Sequence, residues 1–100
     1  MCEFKIIKRN DGSQILEDIV ILSYTKNNEL LFKDVLGMGE SLDSALILSV
    51  NTLNQRCEIL EHPLIKYFIK IIYDINGEQI KKSDIENFQR KLEELKGTIN

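Results

Sequence analysis

Turn signals recur at short intervals through the first sixty residues, and they leave room only for short strands. Asn10-Asp11-Gly12, Lys26-Asn27-Asn28, Gly37-Met38-Gly39 and Leu53-Asn54-Gln55-Arg56 separate apolar runs. Glu3 to Arg9 reads as a strand with Phe4 and Ile6 on the same face as Cys2, and Lys5 and Arg9 on the other. Ser13 to Glu17 reads as its return. Asp18 to Thr25 follows, with Ile19 to Leu22 apolar on both faces as in a well-covered strand. Glu29 to Leu36 is another strand, and Ala45 to Thr52 with Cys57 to Glu61 make a last hairpin. Short strands at this spacing predict a mainly β fold, a small closed or nearly closed barrel.

The composition shifts at His62-Pro63, which predicts a core over residues 1–61 and an extension over 62–100. Residues 64–75 carry two periods. Lys66, Lys70 and Asp74 recur every fourth residue behind Pro63, as in a helix, whereas Ile65, Tyr67, Ile69, Ile71, Tyr73 and Ile75 share one strand face. The helix is preferred. Ser83-Asp84-Ile85-Glu86 has the form of a capping box, and Ile85, Phe88, Leu92 and Leu95 then recur at helical spacing up to Gly97. The extension is therefore expected to be α-helical and to end in an amphipathic helix.

Charge narrows the partners. Residues 1–62 hold six basic side chains against ten acidic, a balance of −4, and residues 63–100 hold seven against six, a balance of +1. Phosphate neutralisation needs a basic field, which neither part offers, so a nucleic-acid partner is disfavoured. No apolar run approaches the roughly 20 residues that span a bilayer. The start, Met1-Cys2-Glu3-Phe4-Lys5, lacks the apolar centre of a signal peptide, and a cytoplasmic protein with reduced cysteines is expected.

Cys2 is the residue with the most pointed chemistry. If Met1 is removed, its α-amine and thiol can chelate a metal together, and the backbone nitrogen of Glu3 can add a donor. Planar nitrogen and thiolate donors suit Ni(II) or Cu(II). The plainer alternative is a small apolar residue opening a strand. Cys57 shares a strand face with Ile59 and is expected in the core. His62, five residues on, could meet Cys57 and Cys2 at one metal, although a solvated histidine is the simpler expectation. Gly37-Met38-Gly39 lacks the remaining features of a nucleotide loop, and nothing around His62 suggests a catalytic triad, so no enzyme is indicated.

Met1-Cys2-Glu3, Lys5-Ile6, Asp11-Gly12, Ile15 to Val20, Lys33 to Gly37 and Ile47-x-x-Val50, in that order and spacing, resemble the small CooT-like nickel-binding proteins, some of which are labelled predicted RNA-binding proteins. The resemblance covers residues 1–61 and stops there. It implies an SH3-like β-barrel, a homodimer, and one Ni(II) shared between two chains through Cys2, with Glu3 as a backbone co-ligand. It also implies a role in handling nickel for a nickel enzyme such as carbon monoxide dehydrogenase, or for its maturation proteins. The rival readings are an RNA-binding module and a protein-interaction module without metal.

Overall fold

A computed structural model of the protein describes residues 3–99. The chain divides into two compact units, residues 1–62 and residues 63–100. The first contains six strands, β1 (Phe4–Lys8), β2 (Ser13–Tyr24), β3 (Leu30–Asp34), β4 (Gly39–Leu42), β5 (Ala45–Asn51) and β6 (Arg56–Glu61). They form one sheet in the order β4-β3-β2-β1-β6-β5. All neighbours are antiparallel except β1 and β6, which run parallel.

β2 is one long strand where the sequence suggests two. Asp18 sits in its middle with φ of 58°, a left-handed conformation that aspartate tolerates better than branched residues. The register slips on both sides of it. Phe4 faces Ile19 and Ile6 faces Leu16, and beyond it Ile19 faces Asp34 and Ile21 faces Lys33. Extra residues in β2 are β-bulges, which bend a strand and increase its twist. The first half of β2 therefore pairs with β1 and the second half with β3. Covering on both faces does not hold for the whole Ile19–Leu22 run, since Ile19 is buried and Ile21 is exposed.

β3 ends at Asp34, earlier than the Leu36 expected. The Asp34 carboxylate accepts the backbone N–H groups of Leu36 and Met38 at 2.9 and 3.0 Å, which turns the chain. β4 follows, a short strand that the sequence does not announce. Gly39 is obligatory there: a Cβ would lie 1.8 Å from the carbonyl oxygen of Phe32.

Of the closed or nearly closed barrel expected, full closure of the hydrogen-bond ladder does not occur. The sheet is open, with β4 and β5 at its edges. It is nevertheless strongly curled. Laid flat, five strand spacings would separate the edges by about 24 Å, yet only Asp43 and Ser44 join β4 to β5, a reach of about 11 Å. One core collects Ile6, Ile19, Leu30, Phe32, Ala45, Cys57 and Ile59, from five of the strands, with Leu42 of β4 packed against it.

The second unit is α1 (Pro63–Asn76) and α2 (Lys82–Lys96). The four-residue period of α1 prevails, with Lys70 and Asp74 paired at 2.6 Å one turn apart. Phe68 and Phe88 stack at a tilt, 6.2 Å between ring centres. The capping box does not form. α2 starts one residue before Ser83, its N-cap is Lys81 without a side-chain cap, and Asp84 lies 3.7 Å from Lys70 instead. Gly97 does end the helix, its N–H donating to the Glu93 carbonyl, but in a right-handed conformation open to other residues. No helix among the described residues is long and apolar enough to cross a membrane.

Candidate functional site

Cys2 lies outside the described residues. The residues that follow it are described. Glu3 is exposed and precedes the β1 ladder. Phe4 faces Ile19 of β2, beside the Asp18 bulge. Lys5 faces Arg56 of β6, and its N–H donates to the Gln55 carbonyl at 2.9 Å. The chain thus enters the middle of the sheet between the bulge of β2 and the turn joining β5 to β6.

The other cysteine is unavailable there. Cys57 faces Ile6 across the β1–β6 ladder and is fully buried in the core, as its shared face with Ile59 predicts. Burial, and secondarily the neighbouring Glu58 carboxylate, pushes its thiol pKa up, which disfavours the thiolate a metal needs. His62 lies past the opposite end of β6. Six residues of strand span about 20 Å, so His62 and the Lys5–Arg56 level of the sheet lie at opposite ends. His62 is tied in by its backbone, its N–H donating to the Ser44 carbonyl at 3.1 Å while the Ser44 hydroxyl donates to the His62 carbonyl. Convergence of Cys57 and His62 on one metal is therefore not what this fold builds, and Cys2, the third member of that reading, lies outside the described residues. Among the described residues, no group of three or more histidine, cysteine, aspartate or glutamate side chains is placed to hold a metal ion.

No protein-family model matches the chain, and no curated protein matches it.

One cleft borders the bulge. It encloses about 250 Å³ and is lined by Leu16, Glu17, Ile19, Asp34, Met38 and Glu40, with Gly39 between the last two. Its lining offers carboxylates over an apolar floor, without a histidine, cysteine or hydroxyl to act as a nucleophile. The carboxylates of Glu17, Asp34 and Glu40 disfavour an anion such as phosphate there. One signal of this corner stands in the sequence, the polar pair Glu17-Asp18 interrupting an apolar run. Gly37 and Met38 lie in the turn expected, with Gly37 at φ of 84°, whereas Gly39 opens β4.

Proposed function

We propose that the chain is a small nickel-handling accessory protein of the cytoplasm, acting as a homodimer. In this reading the curled sheet is an SH3-like barrel, and one Ni(II) is the cargo held between two copies of Cys2. What supports the reading is the fate of the other thiol: Cys57 is buried and its pKa raised, which disfavours it as a ligand and makes Cys2 the thiol on which this reading depends. The resemblance of residues 1–61 to CooT-like proteins points to the same residue.

The chemistry is consistent. Two-fold symmetry brings the same residue of each copy to one axis, so a single cysteine per chain supplies two thiolates. Glu3 stands outside the strand ladder, and its backbone nitrogen can complete a planar donor set suited to Ni(II). The protein carries the ion toward a nickel enzyme or its maturation proteins and catalyses no reaction itself. Nickel titration of the reduced, full chain tests this. One Ni(II) per two chains is expected, and Cys2→Ser should weaken binding about a hundredfold or more while the far-ultraviolet circular dichroism stays the same. Unchanged affinity in that variant overturns the proposal.

A further inference from the structure

The β3–β4 hairpin ends in an apolar tip that folding leaves unused. Val35, Leu36 and Met38 are 57, 82 and 69% exposed, although the turn itself is held in shape by the Asp34 carboxylate. Met38 also lines the cleft beside the β2 bulge, so tip and cleft form one continuous surface. Leu16, Ile19 and Met38 supply the apolar part of that cleft, and Glu17, Asp34 and Glu40 its charge.

These carboxylates are unmatched. Among the described residues, none of the three is in an ion pair, and the cleft lining contains no lysine or arginine. The carboxylates of β6 differ, since Glu58 meets Arg9 and Arg56, and Glu61 meets Lys8. Nor do the three converge on a point, because no such group among the described residues is placed to hold a metal ion. Negative charge is spread around an apolar floor, and an apolar tip stands next to it.

We propose that this surface docks a partner protein through a short segment in which a lysine or arginine enters the cleft and an adjacent apolar side chain packs on the tip. Size and charge select this occupant. A cleft of about 250 Å³ falls below the usual range of small-molecule sites and suits one long side chain. The methylenes of lysine or arginine can cover Leu16, Ile19 and Met38 while the charged head reaches a carboxylate. A wholly apolar partner would take the carboxylates from water and give them nothing in return. A wholly basic one would leave the tip uncovered. Nucleic acids and anionic lipid surfaces bring charge of the wrong sign. The inference does not depend on the nickel reading.

Fluorescence anisotropy on the full, reduced chain tests the surface, using short labelled peptides that alternate arginine with valine, arginine with serine, or glutamate with valine. The arginine–valine peptide should bind about tenfold or more tighter than either of the others. Combined Glu17→Lys and Glu40→Lys, and separately Leu36→Ser, should each weaken that binding about tenfold with unchanged circular dichroism. Glu17, Leu36 and Glu40 are all exposed, so these changes spare the core. Glu94→Lys, on α2, should leave the affinity intact. Absence of binding by the arginine–valine peptide overturns the surface. Equal binding of the arginine–serine peptide, or a loss as large with Glu94→Lys as with the cleft variants, does so too, because each reduces the effect to general attraction by an acidic chain. Nickel uptake is read separately on the same protein, so the failure of one reading leaves the other standing.

Discussion

The hydroxyl of Tyr24, at the end of β2, bridges to the carbonyl oxygen of Ala45 at 3.1 Å, at the start of β5. In the order of the sheet these strands are three places apart. A side chain thus closes a gap that the ladder leaves open. Its two hydrogen bonds are worth about 1–2 kcal/mol together. Tyr24→Phe keeps the ring and loses both, so it should lower stability by that amount in urea unfolding, with the m-value unchanged.

Gly39 supports a sharper prediction. Any Cβ at this position runs into the Phe32 carbonyl, which is backbone and cannot swing aside. Gly39→Ala should force β3 and β4 apart and cost about 1–3 kcal/mol. Thermal melting followed by near-ultraviolet circular dichroism would report it.

Cys57 should behave as a core residue. Its raised pKa makes the neutral thiol the form that folding favours. That contribution is complete below the ordinary thiol value and is lost as pH rises through the raised folded value. Cys57 should therefore resist thiol reagents at pH 8 until the chain is unfolded. Cys57→Ser places a hydroxyl in an apolar site and should cost about 1–3 kcal/mol.

The acid limb of stability has named sources. Glu58 accepts from Arg9 at 2.7 Å and from Ser49 at 3.1 Å, and these bonds hold its pKa below the ordinary value. Asp11 is lowered in the same way by the Ser13 hydroxyl at 2.6 Å, with the Ser13 N–H at 2.9 Å adding to it. Depressed folded values contribute stability above the ordinary carboxylate range and lose it as pH falls through the folded values. The melting temperature should hold from pH 7 to about 5 and drop below about 4. Glu58→Gln should make the drop shallower.

The strands bounded by strong turn chemistry were legible beforehand. Gly12 and Asn28 adopt left-handed conformations where Asn10-Asp11-Gly12 and Lys26-Asn27-Asn28 announce turns, and the burial of Cys57 follows from its face. Other features depend on partners far along the chain. β4 is a four-residue, half-polar strand that exists because β3 lies beside it. The parallel β1–β6 pairing leaves no local pattern. Asp18 in a left-handed conformation unites two expected strands into one. At the start of α2 the helix begins at Lys82 with Lys81 as its N-cap, so Ser83 lies inside it and the box does not close. Of the candidate site, the immediate surroundings of Glu3 came from the structure, because sequence spacing says nothing of which strands flank β1.

The β1–β6 pairing also sets an order of events. Beyond the ladder, the Asn10 side chain donates to the Glu61 carbonyl and accepts the Glu61 N–H, bonds that span 51 residues. During synthesis β1 emerges first, yet its second neighbour is made last of the six strands. The hairpins of β1 with β2 and β2 with β3 can form early, but the sheet acquires its centre only when β6 arrives. Closing so long a loop precedes the contacts that reward it, which places this unit among slow folders, on the scale of milliseconds to seconds. Until then the inner flank of β1 is an open template, and a growing chain must keep it from other strands.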